Sequence, residues 1–303
     1  MRKFLSKTLL AMSAEFLCCA SFSATAALQV FACEPEWASL ASEIGGDKVK
    51  TFSATHARQD PHYIKARPSL MSKVRKADLI VCSGADLEIG WLPLLLERAG
   101  AGVQRGMVGN LMAYEYVPLI EIPTSIDRSL GDIHPDGNPH VHLNPRNLIL
   151  IGKELANRLA SIDEVNAVFY ESRYGQFEAK MNQAIEGWLR DGKELKGMQV
   201  ITKHKSLSYL IDFFGLKEVA SLEPRPGLPP TSSHLARVLD SVSSMNARAI
   251  VRAPYESDRG VDWIVSKANI KNLVVPYTVN GDDESGDLFS LFDRSLAILK
   301  SAL

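Results

Sequence analysis

Imidazole is the commonest neutral metal ligand among side chains, and three of this chain's seven histidines fall in GDIHPDGNPHVHLNPRN, residues 131–147, as His134, His140 and His142. Two others sit in loop-like surroundings, His62 in THARQDPHYIKARPS and His204 in ITKHKSLSYL. Three imidazoles at ~2.0–2.1 Å around a zinc ion leave a fourth position for a carboxylate or water. His62, His140 and His204 stand 78 and 64 residues apart, so no finger-type loop can gather them and the fold must assemble any site. On spacing alone, ordinary hydrogen-bonded loop histidines remain an open alternative.

The elements that would position these residues read as parallel α/β units, because short apolar β-rich runs alternate with helical patterns. Strands are expected at Leu28–Cys33, Val49–Ser53, Asp78–Ser83 and Tyr116–Ile122, with helices at Glu36–Ile44, Pro68–Ala77 and Trp91–Ala99 between them. A second set comprises strands Gln199–Lys203, Glu218–Leu222, Ala249–Ala253 and Asn272–Pro276, with helices Leu207–Phe214, Ser233–Met245 and Val261–Ala268. From Asp163 to Asp191, Val165, Val168, Phe169, Phe177, Met181, Ala184, Ile185, Trp188 and Leu189 recur at three- and four-residue steps, so one uninterrupted helix of roughly 43 Å, capped by Asp163, is predicted between the halves. A single packed connector of that kind predicts limited hinge closure. The expected organisation is a signal segment over 1–26, a first lobe over 27–160, the linking helix over 161–192 and a second lobe over 193–303. His62, His140 and His204 each follow a strand, where open α/β sheets bind ligands. Asn144 and Pro145 read as the cap and first position of the helix after His140.

With a formal net charge of −1 and no block of five or more basic residues, nothing recommends a nucleic-acid or anionic-membrane partner, and small ligands or proteins are expected instead. The basic start at Met1-Arg2-Lys3, the apolar run Thr8–Ala20 and Ala24-Thr25-Ala26 predict an export signal cut after Ala26, leaving a mature charge of −3. Phe16-Leu17-Cys18-Cys19 does not fit a lipid-anchor site, so a free periplasmic protein is expected. Cys33 and Cys82 then remain as an even pair in an oxidising compartment, for which a disulfide and two buried thiols are both open.

Several motifs in order, DPHYIKARPS, KADLIVCSGADLEIGWLP, GNPHVHLNPRN, ITKHKSLSYLIDFFGL and EPRPGLPPTSSHL, resemble the zinc- and manganese-binding proteins of ABC importers, the cluster A-I or TroA-like family. The resemblance covers essentially all of the mature chain. It implies two α/β lobes, a bridging helix, a metal cleft between lobes, and His62, His140 and His204 as ligands. It also implies the permease of an inner-membrane ABC importer as partner, a metal-delivery chaperone as a further one, and a monomer. The family's usual fourth ligand, often Asp, is matched here by Tyr277 in VVPYTVNGDDESGDLF, a poor neutral ligand, which leaves water or Asp282, Asp283 or Glu284 to complete the site. The family's long His-rich acidic loop is absent, and His134, Asp136 and His142 are expected as an auxiliary weak site or relay. Three imidazoles favour zinc over manganese as the transported ion. Asp60 and Glu223 are candidates to hold the far ring nitrogens of the ligands.

Two other function classes share these features. A zinc hydrolase also uses three histidines and water, but the chain has no H-E-x-x-H and no glutamate beside a ligand to serve as base. A metal-binding adhesion module would call for a surface anchor, and none is read. The expectation is therefore a non-enzymatic solute-binding protein. Trp91, Phe289, Phe292, Leu296 and Leu299 read as core, and His56 and His234 as non-ligands.

Overall fold

The protein is described by a computed structural model over residues 26–125 and 131–303; the expected export signal lies outside the described residues apart from Ala26. Two four-stranded, wholly parallel sheets form the frame. The first contains β1 (Leu28–Ala32), β2 (Val49–Ser53), β3 (Leu79–Cys82) and β4 (Asn110–Met112) in the order β2-β1-β3-β4. The second contains β5 (Gln199–Thr202), β6 (Lys217–Ser221), β7 (Ala249–Arg252) and β8 (Lys271–Val274) in the matching order β6-β5-β7-β8. Each strand leads through a crossover to a parallel neighbour, so helices cover the sheets. The third-in-line strands, LIVC in β3 and AIVR in β7, are accordingly buried at every residue.

The expected strand Tyr116–Ile122 is not one: the fourth strand is the shorter β4, and Ala113–Tyr116 forms a 3-10 turn. The apolar residues that suggested a strand instead cross toward the second lobe. There the backbone groups of Ile120 find partners outside any ladder, its N–H donating to Tyr209 Oη at 3.3 Å and its carbonyl accepting from Asn138 N at 2.9 Å.

The connector also differs from expectation. Helix α4 (Pro145–Ile162) ends at Asp163, a 3-10 turn covers Glu164–Asn166, and α5 (Ala167–Asp191) runs for 25 residues, about 37 Å at 1.5 Å per residue. Val165 and Val168 are 83% and 78% exposed, so the packed stripe begins at Tyr170 and continues through Phe177, Met181, Ile185 and Trp188. Asp163 does not cap α5 through its backbone; its carboxylate accepts from Tyr170 Oη at 2.8 Å and Asn166 Nδ2 at 2.7 Å. Burying five large side chains at ~1.5–3 kcal/mol each fixes α5 far more firmly than helix propensity would.

Helix α5 lies in one continuous core with residues of both sheets, Val30 and Val81 from the first and Val200 and Val251 from the second. Helix α9 (Leu288–Lys300) joins the same core through Phe292, Leu296 and Leu299, as their spacing predicts. Separate clusters back the outer face of each sheet, including Trp91 in the first lobe. Cys33 and Cys82, at the carboxyl ends of adjacent β1 and β3, are joined as a disulfide with Cα atoms 4.8 Å apart. No helix among the described residues is long and apolar enough to cross a membrane.

Candidate metal centre

His62, His140 and His204 come together: their ligand-type atoms lie within 4.8 Å of one another, and their ring centroids are 5.7–6.2 Å apart. Each arrives from a loop at the carboxyl end of a strand. After β2, Asp60 opens the turn Pro61–Tyr63 by accepting from the His62 backbone N–H at 3.0 Å, and the same oxygen lies 2.7 Å from His62 Nδ1. Buried Trp91 holds this loop from below, its Nε1–H donating to Pro61 O at 2.9 Å. After β4, Asn138 Oδ1 accepts from the His140 backbone N–H at 2.9 Å, and Asn144 caps α4 immediately beyond by accepting from Arg146 N at 3.1 Å. After β5, His204 Nδ1 lies 2.7 Å from Glu223 Oε2 on the loop that follows β6.

Each ring is therefore gripped at Nδ1, by Asp60, by Tyr277 Oη at 2.7 Å from His140, or by Glu223. With Nδ1 as the protonated nitrogen, Nε2 is left with a lone pair, which is the tautomer a cation needs. At His140 electrostatics favours the same state. Burial, reinforced by the surrounding imidazoles of His62, His204 and His134, holds His140 well below its ordinary pKa, so it is neutral at neutral pH. At His204 burial also works downward, but the Glu223 hydrogen bond and the charges of Glu256, Glu223 and Asp60 outweigh it and raise the pKa. Burial works to raise the Asp60 carboxyl, yet its bonds to His62 hold it below its usual range. Two carboxylates, Asp60 and Glu223, thus stand directly behind the imidazole trio, a distribution suited to a divalent cation. Beside the trio lies a cavity of about 290 Å3 lined in part by His134, Asn138, His140, His204 and Pro226.

Residues 30–302 match the family described as zinc-uptake complex component A, periplasmic. The chain belongs to this family. Its members are solute-binding components of transport systems and not enzymes. Among curated relatives, the metal ABC transporter substrate-binding lipoprotein FimA of Streptococcus parasanguinis is 24% identical over 277 residues, covering 89% of this chain and 86% of FimA. The manganese ABC transporter substrate-binding lipoprotein PsaA of Streptococcus pneumoniae is 23% identical over 261 residues, covering 83% and 81%. The crystal structure of ZnuA superposes with a TM-score of 0.76 at 17% identity, covering 91% of this chain and all of that one. The Mn-bound periplasmic metal-binding protein of Candidatus Liberibacter asiaticus superposes with 0.73 at 19% identity and the same coverage. Both share the fold of two lobes and a long helix.

Within that family frame several expected residues lie elsewhere. The carboxylates offered as a fourth ligand are turned to other work: Asp282 Oδ2 and Glu284 Oε2 each lie 2.6 Å from the Arg294 guanidinium of α9, and Asp283 is exposed. The Gly281 loop is therefore tied down by an ion-pair fork rather than free to swing. The auxiliary cluster is also dispersed. Asp136 is exposed, while His142 is fully buried, with Nε2 2.8 Å from Tyr277 O and Nδ1 3.1 Å from Glu36 Oε1, off the line of a hydrogen bond. Glu36, on helix α1 (Pro35–Gly45), in turn accepts from Thr278 Oγ1, so His142 and Glu36 form a polar seam between the lobes. The alternation His140-Val-His142 contained the signal, since one ring at the cleft leaves its second neighbour in the following turn facing the interior. His134 alone of the auxiliary residues reaches the trio, with Nε2 3.2 Å from His62 Nε2. His234 bonds to Ser221 O at 2.9 Å and His56 lies in an exposed turn, away from the trio. Tyr277, close beyond the second-lobe strand β8, backs His140 through its hydroxyl, a role that its chemistry as a weak ligand concealed in the sequence.

Proposed function

We propose that this chain is an exported, periplasmic solute-binding protein that captures one divalent cation, zinc in preference to manganese, at His62, His140 and His204. It hands the ion to the permease of an inner-membrane ABC importer. The functional units are a first lobe over 27–160, the connector over 161–192 and a second lobe over 193–303, with the cation held where the lobes meet. The observation that carries this reading is the convergence of three imidazoles from three strand-end loops, each oriented through Nδ1.

Zinc is favoured by the donor set. No carboxylate joins the three imidazoles among the described residues, and manganese sites lean on oxygen donors while the Irving–Williams order places zinc above manganese. PsaA is named for manganese, so the choice needs a direct competition. The mature protein, titrated with zinc against manganese, should bind one zinc that manganese does not displace at equal concentration. Zinc at ~1,000 times its Kd should stabilise the fold by about 4 kcal/mol. His140→Ala and His204→Ala should each remove most of that stabilisation. Full zinc affinity in either variant, or preferential manganese uptake, would overturn the assignment.

A further inference from the structure

We propose that His134 is the fourth donor to the captured cation, so that this chain closes its site with a fourth imidazole. The proposal rests on the three-histidine reading above and specifies its remaining position.

The geometry of the hydrogen bonds within the site carries it. A carboxylate can only accept, so the His62 Nδ1 at 2.7 Å from Asp60 Oδ1 is the donor of that bond, which leaves His62 Nε2 to present its lone pair to a cation. A backbone carbonyl likewise can only accept, so the His134 Nδ1 that lies 2.8 Å from Ala85 O bears its proton, and His134 Nε2 also presents a lone pair. The two Nε2 atoms stand 3.2 Å apart, facing each other. A proton shared between them satisfies one ring at the other's expense, whereas a cation between them is held by both. The separation matches the ~3.3 Å edge of a tetrahedron of nitrogens at ~2.0–2.1 Å from zinc.

The placement is built rather than incidental. Ala85 and Asp86 take left-handed backbone conformations, with φ of 47° and 63°, which non-glycine residues adopt only when their surroundings impose it. That conformation turns the Ala85 carbonyl to His134. The segment that carries His134 is fastened to both lobes, because the Asp132 carboxylate accepts from Tyr63 Oη at 2.8–2.9 Å and the Asp132 backbone N–H donates to Pro226 O at 2.9 Å. The His134 ring stands 5.2 Å from that of His62 and 6.4 Å from that of His140, and His134 falls outside the mutual 4.8 Å of the trio's ligand atoms, so its loop must move inward to close the site around a cation. The proline-rich stretch around Pro226 thereby acquires a task, docking the loop that delivers the fourth donor. A site of four imidazoles would also turn the chain further from manganese.

The test uses the mature protein labelled with 15N at histidine, whose seven imidazoles are few enough to resolve. With one equivalent of zinc, four Nε2 resonances should carry the shift of metal-bound nitrogen, falling to three in His134→Gln. Zinc Kd, measured against a chelator, should rise at least ~10-fold in His134→Gln and His134→Ala, since even residues that merely support a ligand cost that much. Three coordinated resonances in the wild type would overturn the proposal, including the case where His62 and His134 share a proton. So would unchanged affinity in both variants. Failure of the underlying reading looks different: His140→Ala would then keep full zinc affinity whatever His134 does.

Discussion

Replacing Tyr277 by Phe isolates one oxygen that the proposed metal site would use without touching the cation. The ring itself is held by edge-on contacts to His140, His142 and Tyr255 at centroid distances of 5.3, 5.0 and 5.3 Å, and the residue is 2% exposed, so Phe should occupy the same space. What disappears is the acceptor 2.7 Å from His140 Nδ1. An unsatisfied buried N–H costs about 1–3 kcal/mol, but part of that cost falls on the metal-free protein as well and cancels from the affinity. The surviving part arises because a cation on Nε2 draws electron density from the ring and makes Nδ1–H a stronger donor. Losses of this kind run to ~10–100-fold in metal affinity, and the cancellation places this one near the lower end, about 10-fold or 1.4 kcal/mol. Chelator competition gives the Kd, and urea unfolding of the metal-free variant gives the shared part. A Tyr277→Phe protein with zinc Kd within twofold of wild type and unchanged metal-free stability would refute the claim that Tyr277 orients His140.

Two further outcomes follow from groups away from the ligands. Burial first, opposed by backbone N–H bonds from Gly84 and Ser83, raises the Glu88 carboxyl from 4.5 to about 7. A carboxyl with a raised folded pKa contributes stability that is full below the unfolded value and lost as pH climbs through the folded one. Glu88, buried beside Glu34, should therefore make the metal-free protein less stable as pH climbs from the ordinary carboxylate range through about 7, and the wild-type minus Glu88→Gln difference in urea stability should fall over that range; a difference independent of pH would contradict it. The Cys33–Cys82 disulfide closes a span of 49 residues, worth about 4 kcal/mol in the chain-entropy account. The Cys33→Ser/Cys82→Ser double variant should lose stability on that scale, and intact wild-type protein should gain two hydrogens in mass on reduction. No mass change would mean that the thiols are unpaired.

Much of this architecture is legible in the sequence because parallel sheets write themselves as continuous apolar runs, and seven of the eight expected strands are present to within a few residues. The failure at Tyr116–Ile122 has a physical cause: apolar residues that cross between lobes bury as a strand would, while their backbone groups are satisfied by Tyr209 and Asn138. Val165 and Val168 fit the helical period yet lie beyond the edge of the packed surface, so periodicity placed them on the correct face of a segment with nothing opposite. The site separates in the same way. His62, His140 and His204 each follow a strand, and Asp60 and Glu223 are near in sequence to a ligand or to the next strand end, so their convergence could be anticipated. Tyr277 beside His140 and Glu36 beneath His142 join residues 137 and 106 positions apart. Pairings across two lobes leave no local trace, and only packing reveals them.

The same packing constrains how a cation can enter and leave. Both sheets, α5 and α9 share one core, and the Glu36, His142 and Thr278 seam runs through it, so separating the lobes would expose buried apolar surface and break buried polar contacts together. Opening by a wide hinge is therefore expensive. Loops at the strand ends carry no such burden: His62 rides on a short turn fastened by Trp91, His204 on the first residues after β5, and His134 on a segment docked through Asp132. Each of these three rings is held by a hydrogen bond at Nδ1. At the proposed site, small movements of these loops would change the coordination while the frame stays fixed. A solute-binding protein that must hold a divalent cation firmly and yet surrender it needs that division between a rigid frame and individually releasable donors.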